Sequence, residues 1–423
     1  MAVELLRRSL LMVCLLWLVV LGACESSDVT DTAETDDEAS SDAPGLIENL
    51  DDDSTSDNVG GEPPMAMVGD SYWPPDQRGP YEVGVKTIYL VDESRYEIWG
   101  LRDRELPLEI WYPATGKHGR LNTMSDMVGR APGWAMDLLK TIYGDSFEEL
   151  WSIVTTARRD DWPLVSGGPY PVILFSHGLT AVRFQNYSLC EYLASHGFIV
   201  VAPDHYGNAI FANLSDGAII FYNPLTLLTA ALDRPIDVDF IYEQLVMLAD
   251  SGAAPLYLAM DLGFFAVTGH SYGGLTALES GLVSDYLAAI APINPAWFDL
   301  LYMNFDRPMF MLQSDKDNIV GLMNPAARAA FDEAPTTKKL HLELLNAGHY
   351  SATDACWLLP PSIVPPAVSG CDGNMIDPVL ANQITEAYLT AFFKATYTGD
   401  QRYADYLLVN HFTDNIEVTS SWE

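Results

Sequence analysis

The amino-acid sequence predicts an α/β fold in which helices flank a mostly parallel central sheet. Short, continuous apolar runs of the buried-strand type recur at 170–175 (YPVILF), 264–267 and 308–312 (PMFML). Helical patterns lie between such runs, for example at 186–196. This alternation is typical of parallel sheets, because parallel neighbours are joined by crossover helices.

A tight strand-to-helix turn is predicted at Ser271. The segment 267–274 is VTGHSYGG, so Ser271 lies between Gly269 and Gly273. Glycines at these positions let the strand and the helix approach closely, and the turn exposes the serine hydroxyl above the sheet. A helix predicted over Tyr272–Val283 directs its first amides at the same point. Ser271 is therefore the candidate nucleophile; the alternative is a glycine-rich turn that contains a serine by chance.

Two backbone amides are candidates for an oxyanion hole. The run 170–175 ends in Ser176-His177-Gly178-Leu179, where Gly178 permits a tight turn. The Leu179 N–H can then join the Tyr272 N–H at the oxygen of a reacting carbonyl group. His177 is expected to orient this loop rather than to act as a base.

The candidate base is His349, which follows a strand predicted over 339–345. Gly348 precedes it and lets the imidazole reach back over the sheet. His205 also follows a strand end and is the main alternative. It precedes the serine in the chain, however, whereas this fold uses the order Ser, Asp, His. We therefore expect His205 to have a structural or pocket-wall role.

The loop after 308–312 contains two candidate acids, Asp315 and Asp317. Asp317 is favoured because the apolar pair Ile319 and Val320 follows it and can anchor the loop near the histidine. Asp315 remains the alternative, although a turn residue that bonds its own backbone would also account for it. A carboxylate beside the imidazole would fix the tautomer of the base.

These segments together resemble the α/β-hydrolase superfamily, and in particular bacterial lipoprotein relatives of platelet-activating factor acetylhydrolase, often described as dienelactone-hydrolase-like. The matching stretches are PVILFSHGL at 171–179, EYLASHGFIVVAPDH at 191–205, RPIDVDFIYEQL at 234–245, VTGHSYGG at 267–274 and NAGHYSATD at 346–354. The resemblance implies the α/β-hydrolase fold with cap-like insertions. With Ser271, His349 and Asp317 in these roles, the sequence predicts a serine carboxylic-ester hydrolase that works through an acyl-enzyme. No cofactor is expected, because the sequence shows no phosphate loop and no dinucleotide-binding motif.

The substrates implied by the resemblance are short-chain acyl esters, such as acetylated or oxidised phospholipids. A polyester, aryl-ester or thioester hydrolase is the alternative, and a catalytically silent surface-binding lipoprotein is the rival from another class. One position departs from the plasma enzyme of this family, whose acid follows the strand after the elbow helix. This chain has Asn294 there, which again favours Asp317. True dienelactone hydrolases use a cysteine nucleophile, and Ser271 argues against their chemistry.

The N-terminal residues predict an exported bacterial lipoprotein. Residues 1–23 combine a short basic start with an apolar run and end in Leu21-Gly22-Ala23, directly before Cys24. Cys24 is the predicted lipidation site, and lipid chains there would anchor the protein to the cell envelope, on the periplasmic or the outer surface. An ordinary secretory signal with an incidental cysteine is the alternative.

An acidic tether is predicted over 24–77, followed by one catalytic domain over 78–423. No Lys or Arg occurs between Glu25 and Gln77, where Asp, Glu, Ser and Thr dominate and apolar residues are too sparse to form a core. The whole chain has a formal net charge of -36, which disfavours nucleic acid as a partner. The expected partners are a small-molecule or lipid ester and the membrane; the oligomeric state stays open.

Within the predicted domain, 81–91 and 106–112 alternate like antiparallel edge strands. An insertion at 113–169 carries helical patterns at 134–139 and 147–156, and a second, apolar insertion covers 211–232. Either insertion would serve as a cap over the site or as peripheral packing. Four aromatic side chains near the motifs are candidates for the wall of an apolar acyl pocket, namely Tyr272, Trp297, Phe298 and Tyr350.

The cysteine pattern predicts one disulfide. Cys356 and Cys371 bracket a proline-rich loop directly after the His349 segment, and a disulfide is plausible in an exported protein. Cys190, on the amphipathic helix at 186–196, is expected to be a buried, inert thiol. The sequence shows no metal-ligand spacing.

Overall fold

A central β-sheet organises the chain in this computed structural model, which describes residues 72–98, 100–129, 133, 136–137, 140–141, 144, 147–297, 304–358 and 370–422. The strands are β1 (Glu82–Glu97), β2 (Arg102–Ala114), β3 (Arg120–Thr123), β4 (Val154–Arg159), β5 (Tyr170–Ser176), β6 (Ile199–Pro203), β7 (Phe211–Asn213), β8 (Ile219–Phe221), β9 (Met260–His270), β10 (Leu287–Ile293), β11 (Met309–Ser314), β12 (Lys338–Leu344) and β13 (Ile416–Trp422).

α-Helices connect or flank these strands in the described part of the chain. They are α1 (Met124–Val128), α2 (Phe147–Trp151), α3 (Tyr187–Ser195), α4 (Ala230–Ser251), α5 (Pro255–Leu258), α6 (Tyr272–Val283), α7 (Asn324–Glu333), α8 (Ala355–Leu358), α9 (Pro378–Thr398) and α10 (Gln401–Leu407). None of the helices in this part of the chain has the length and apolar character needed to cross a bilayer.

The strand order confirms the predicted mostly parallel sheet. Within the described residues the order is β13-β12-β11-β10-β9-β5-β6-β2-β1-β4-β3, and the strands β7 and β8 form a separate hairpin. The six strands from β12 to β6 are parallel, and antiparallel strands flank them. Because parallel strands end at the same edge, the loops after β5, β9, β11 and β12 all lie at the carboxyl edge of the sheet.

Apolar clusters cover both faces of the sheet. One contains side chains of α3 and α9, and the other contains side chains of α4 and α6. Sheet residues such as Ile173 and Val267 are fully buried for this reason. The continuous apolar runs in the sequence therefore reflect strands buried on both faces.

Two predictions for the first half of the domain are wrong in detail. The predicted helix over 147–156 ends at Trp151, and β4 starts at Val154; the β-branched run Ile153-Val154-Thr155-Thr156 favours a strand. In addition, β1 and β2 pair antiparallel as expected, but they are not edge strands. The insertion at 113–169 supplies β3 and β4, which extend the sheet beyond β1.

The folded domain begins earlier than the sequence suggested. Residues 72–77, which the prediction placed in the tether, pack against α3 and α10: the Tyr72 ring lies 4.8 Å from that of Tyr403, and the Pro75 carbonyl oxygen accepts a hydrogen bond from the Tyr192 hydroxyl at 2.8 Å. The predicted signal, Cys24, the rest of the tether, Phe298 and most of the predicted helix at 134–139 lie outside the described residues.

Candidate active site

Ser271 lies in a strained turn between β9 and α6. Its backbone has φ 59° and ψ −115°, an unusual conformation for a residue with a Cβ. The turn is held from both sides, because the Ser271 N–H donates to the Ile293 carbonyl at 2.9 Å and the Ser271 carbonyl accepts from the Ala296 N–H at 3.1 Å. The predicted elbow is thus present, and α6 has the predicted limits.

The glycines around Ser271 are required by close backbone approach. A Cβ at Gly273 would lie 1.8 Å from the Ser176 carbonyl oxygen, and a Cβ at Gly269 would lie 2.4 Å from the same atom. No other residue fits at these positions without moving backbone atoms. The glycines therefore bring the start of α6 directly against the end of β5, where the predicted oxyanion loop begins.

His349 and Asp317 form a buried hydrogen-bonded pair. The His349 Nδ1 donates to the Asp317 Oδ2 at 2.7 Å, and both side chains are almost completely excluded from solvent. With Nδ1 bonded in this way, the lone pair of the neutral ring is on Nε2. This pairing selects Asp317 over Asp315 as the neighbour of the histidine.

Asp317 is held in its charged form. Burial by itself would raise the pKa of Asp317, but the charge and hydrogen bond of His349 and the N–H groups of Val320 and Ile319 together lower it below its usual value. Those two amides donate to the Asp317 Oδ1 at 2.8 Å each. The apolar pair that favoured Asp317 in the sequence thus contributes through its backbone.

Asp315 instead supports the loop that precedes the histidine. Its Oδ1 accepts a hydrogen bond from the Ala347 N–H at 3.0 Å, and its Oδ2 pairs with the Lys316 ammonium group. It therefore connects the loops after β11 and β12, and its side chain bonds to Ala347 and Lys316 rather than to the imidazole.

The oxyanion loop is fixed by the side chain of His177. The His177 Nδ1 donates to the Gly178 carbonyl at 2.6 Å, while its Nε2 accepts from the His205 N–H at 3.1 Å. In a trans peptide the carbonyl and the next N–H point in opposite directions, so the Leu179 N–H points away from the His177 ring. Burial lowers the pKa of His177 well below its usual value, which keeps it neutral and suits the orienting role that was predicted.

A chain of hydrogen bonds joins this loop to the loop of His349. The Gly178 N–H donates to the Gln185 Oε1 at 2.7 Å, and the Gln185 Nε2 donates to the His270 Nδ1 at 2.9 Å. The His270 Nε2 then donates to the His349 carbonyl at 2.8 Å. Since His270 precedes Ser271 directly, this chain connects three loops of the candidate site, those after β5, β9 and β12.

Asn294 also holds the histidine loop. Its Nδ2 donates to the His349 carbonyl at 3.1 Å, and its backbone φ of 42° is in the left-handed region. The position that carries the acid in the plasma enzyme thus supports the base here. Neither Gln185 nor Asn294 was predicted as a functional residue; His270 belongs to the VTGHSYGG motif, but its contacts depend on distant loops.

His205, the alternative base, lies in a separate buried network. Its Nδ1 donates to the Asp237 Oδ2 at 2.8 Å, and its Nε2 lies 2.9 Å from the Ser176 Oγ. Burial and the nearby Arg234 charge lower the pKa of His205 to about 4 despite Asp237. The whole set is inaccessible, which agrees with a structural role for His205.

Of the four aromatic residues predicted to line a pocket, Phe298 lies outside the described residues, and two of the other three lie in the core. Tyr272 and Trp297 are fully buried in the core on the α4 and α6 face of the sheet. Tyr350 is half-buried and packs on His349, with ring centroids 4.9 Å apart. A smaller apolar cluster lies by the Asp317 loop; it consists of Ala296, Ile319, Val320 and Met323.

The predicted disulfide between Cys356 and Cys371 is present, with an S–S distance of 2.07 Å. Gly370, next to Cys371, packs on the backbone of Gly348, and its carbonyl accepts from the Ser351 hydroxyl at 3.0 Å. The disulfide loop therefore contacts the segment of the candidate base.

Cys190 is a buried free thiol. Within the described ranges, no three His, Cys, Asp or Glu side chains are arranged to hold a metal ion.

Comparison with protein families gives two matches that divide the chain. Residues 70–215 match the family model of platelet-activating factor acetylhydrolase, isoform II, and residues 219–361 match that of PET hydrolase-like proteins. The first match begins before residue 78, in agreement with the packing of residues 72–77.

The individual relatives are also of two kinds, acetylhydrolases and cutinases. The platelet-activating factor acetylhydrolase of Cavia porcellus is 25% identical over 274 residues, which cover 57% of this chain and 60% of that protein. The enzyme of the same name from Canis lupus familiaris is 29% identical over 197 residues, 38% of this chain and 44% of that one. A cutinase from Thermobifida alba is 25% identical over 238 residues, 56% of this chain and 64% of its own length. The chain thus spans between two fifths and two thirds of these relatives.

Among solved structures, a ferulic acid esterase from Streptomyces cinnamoneus superposes with a TM-score of 0.61 at 24% identity. The superposition covers 74% of this chain and 89% of that chain. It supports the α/β-hydrolase fold.

Proposed function

We propose, from the premise that the chain belongs to the α/β-hydrolase superfamily, that it is a serine carboxylic-ester hydrolase. The observation that carries this proposal is the buried pair of His349 and Asp317, whose loop is hydrogen-bonded through His270 to the turn that presents Ser271. A protein that only binds a ligand has no need for this arrangement. The acetylhydrolase and cutinase relatives, which are ester hydrolases, support the same reaction class.

In the proposed mechanism, the Ser271 hydroxyl attacks the ester carbonyl carbon while the His349 Nε2 accepts its proton. Asp317 stabilises the imidazolium and keeps the ring oriented. The N–H groups of Leu179 and Tyr272 stabilise the oxyanion of the tetrahedral intermediate. His349 then protonates the leaving alcohol, and a water molecule, activated by the same ring, releases the acid from the acyl-enzyme.

The finer proposal is that the substrates are short-chain acyl esters, such as acetylated or oxidised phospholipids. The acetylhydrolase match over 70–215 supports it. A polyester hydrolase is the second candidate, because residues 219–361, which contain Ser271, Asp317 and His349, match PET hydrolase-like proteins and the cutinases are relatives. We further propose that Cys24 carries lipid and anchors the enzyme to the cell envelope.

Replacement of the nucleophile tests the reaction class. Ser271→Ala is expected to abolish hydrolysis of p-nitrophenyl acetate and labelling by a fluorophosphonate, with little change in thermal stability, because the side chain lies in a turn held by backbone bonds. Ser251→Ala, at the exposed end of α4, is the matched control. Substantial hydrolysis by Ser271→Ala would refute the proposal.

The substrate class is tested separately on the wild-type protein. Rates are measured on p-nitrophenyl esters of increasing chain length, on vesicles that contain an acetylated phospholipid, and on polyester particles. We expect the highest kcat/KM on short acyl chains and turnover of the phospholipid. Faster release of products from polyester than from phospholipid would favour the second candidate.

A further inference from the structure

Arg234 is a buried cation that the proposed mechanism does not use. It lies on α4 within the RPIDVDF segment, and only 1% of the residue is exposed. No carboxylate among the described residues forms an ion pair with it, and its Nη2 has no hydrogen-bond partner there. Buried arginines are normally paired, because an uncompensated charge in the interior is costly. Arg234 is therefore an exception among buried arginines.

The carboxylate one turn further along the same helix binds other partners. Asp237 lies one turn after Arg234, but its oxygens bind Arg104 at 2.7 and 2.8 Å, Arg95 at 2.8 Å and His205 at 2.8 Å. Two other arginines therefore neutralise Asp237. Asp239, the other carboxylate of the RPIDVDF segment, accepts hydrogen bonds from the Ser284 and Tyr286 hydroxyls. Neither carboxylate of the segment forms an ion pair with Arg234, which keeps its positive charge.

Among the described residues, the hydrogen bonds and ring contact of Arg234 are all made with the surroundings of the proposed oxyanion hole. Its Nη1 donates to the His177 carbonyl at 2.6 Å and lies 3.4 Å from the Ser176 Oγ. Its Nε donates to the Asn208 Oδ1 at 2.9 Å. The guanidinium carbon lies 4.8 Å from the centre of the Tyr272 ring.

These contacts hold the loop that carries one oxyanion donor. The Asn208 carbonyl accepts from the Thr180 N–H at 3.0 Å, directly after Leu179. Arg234 holds the His177 carbonyl on one side of the Leu179 amide and, through Asn208, supports Thr180 on the other. Thr180 has a φ of 58°, so this loop is strained and needs such support.

We propose that Arg234 is a positioning residue of the oxyanion hole, which fixes the Leu179 loop and supplies an unneutralised positive charge behind the amides of Leu179 and Tyr272. This inference rests on the proposed function. The negative charge that appears on the carbonyl oxygen during the reaction would then face a cation across a low-dielectric interior, where charges interact strongly. The ester itself carries no such charge, so the cation favours the transition state over the substrate.

Two further observations agree with this role. Burial lowers the pKa of Arg234 to about 10, so the guanidinium remains protonated at neutral pH. The Tyr272 hydroxyl is also buried without a hydrogen-bond partner in the described part of the chain, so the ring contributes its face to the cation and no compensating anion.

The test compares Arg234→Gln, which removes the charge, with Arg234→Lys, which keeps it. Arg159→Gln is the matched control, because Arg159 is a largely buried arginine on β4 whose bonds go to Glu109 and Asn122. The readouts are kcat and KM on p-nitrophenyl acetate, and the pKa of the hemiketal formed with a ¹³C-labelled alkyl trifluoromethyl ketone, followed by NMR. The pKa of the hemiketal measures directly how well the site stabilises a negative charge on oxygen. A residue that only stabilised the fold would not change this pKa.

For Arg234→Gln we expect kcat to fall about ten- to hundredfold with KM within about twofold, and the hemiketal pKa to rise by about one unit. Arg234→Lys should restore most of both properties, and Arg159→Gln should leave both near wild type. A folded Arg234→Gln protein with wild-type kcat and hemiketal pKa would overturn the proposal. If Arg234→Gln does not fold, Arg234→Lys decides: a wild-type hemiketal pKa supports the role of the charge, and a raised one overturns it.

Failure of the proposed function would look different. In that case the wild-type protein itself would neither hydrolyse the ester nor form the hemiketal, and no fluorophosphonate would bind at Ser271. Failure of the present inference alone leaves wild-type activity, labelling and the hemiketal in place and removes only the difference between the Arg234 variants.

Discussion

At the scale of single residues, the choice between two aspartates on one loop depends on where the loop after β11 turns. Asp315 faces the amide of Ala347, and Asp317, two residues later, faces the His349 ring. Both carboxylates accept backbone N–H groups, so hydrogen bonding to the backbone does not distinguish them. The contact with the imidazole does distinguish the two aspartates, and we therefore expect their replacement to have different effects.

Asp317→Asn is expected to lower kcat by roughly 10⁴. The asparagine amide can donate to the His349 Nδ1, which would move the ring proton to Nε2 and remove the lone pair that the serine needs. Asp315→Asn is the matched control and should cost far less, because an amide oxygen can still accept from the Ala347 N–H. Both rates are measured on p-nitrophenyl acetate. The reverse ranking would assign the acid to Asp315.

Residue-level prediction of the candidate site relied on local signals. Ser271, Asp317 and His349 each follow a recognisable apolar run and lie in a loop of suitable composition, and the structure brings their loops together. The residues that support them were missed for the opposite reason. Gln185 connects two loops by bonding to Gly178 and His270, which are 7 and 85 residues away from it in the sequence. Arg234 is 57 residues away from His177, whose carbonyl it binds. Such contacts exist only in the folded chain.

At the scale of elements, strands buried on both faces were the easiest to predict. The run 170–175 and the segment before Ser271 correspond to β5 and β9, because a short, continuous apolar run is typical of a strand that is covered on both sides. The predicted helix over 147–156 was wrong in its second half, because the β-branched residues there form the start of β4. Tyr272 and Trp297 were placed in a pocket because sequence cannot tell which face of an element points to the core.

The disulfide loop gives a prediction at this scale. Replacement of Cys356 and Cys371 by serine together should lower the free energy of unfolding by about 3 kcal/mol, because a cross-link that closes a loop of this length restricts the unfolded chain. The kcat should also fall, since Gly370 would no longer be held against Gly348 beside the base. Urea unfolding and esterase kinetics measure both effects.

Cys190→Ala is the control for thiol removal. Reductant should change the free energy of unfolding of Cys190→Ala by the same amount as that of the wild type, because Cys190 has no disulfide partner. Reductant should lower the stability of the wild type to that of the double variant and leave the double variant unchanged. Equal stability of wild type and double variant would show that the cross-link contributes nothing.

At the scale of the whole molecule, ionisable groups in the interior connect stability to pH. Asp354 is fully buried between the base loop and α3; burial raises its pKa to about 7, and the charge of Glu191 adds to the shift, although hydrogen bonds from Ser188 oppose it. Glu386 on α9 has its pKa raised to about 8, first by burial and then by Asp354, with Arg78 opposing.

The sign of the pH effect follows from these directions. A raised carboxyl pKa means that the folded protein retains a proton that the unfolded chain loses near pH 4. The wild type should therefore lose stability relative to Asp354→Asn as the pH rises from about 4 to about 7, by at most about 1.4 kcal/mol per unit. Urea unfolding at several pH values measures this difference, and Asp414→Asn, an exposed position, is the control. A difference that stays constant with pH would contradict the raised pKa.

Buried histidines act in the opposite direction. Burial is the main cause that lowers the pKa of His205 to about 4 and that of His270 to about 3. They remain neutral when folded, whereas the unfolded chain protonates them below about pH 6.5. Their contribution therefore falls as the pH decreases below 6.5. The histidine contribution cancels in the difference in unfolding free energy between the wild type and Asp354→Asn, because both proteins contain the same histidines.

The boundary between the tether and the domain gives a prediction about stability. Deletion of residues 1–71 should leave a stable domain with wild-type kcat on p-nitrophenyl acetate. Deletion of residues 1–77 should lower the melting temperature, because it removes the Tyr72 contact with Tyr403 and the hydrogen bonds that Pro75 and Gln77 accept from α3 and His196. Their kcat values should agree, since none of these residues contacts the candidate site. Equal melting temperatures would return the boundary to residue 78.

The proposed lipid anchor is tested in the full chain. Cys24→Ser should block incorporation of a palmitate analogue and release the protein from membranes. Labelling that persists in Cys24→Ser would refute the anchor.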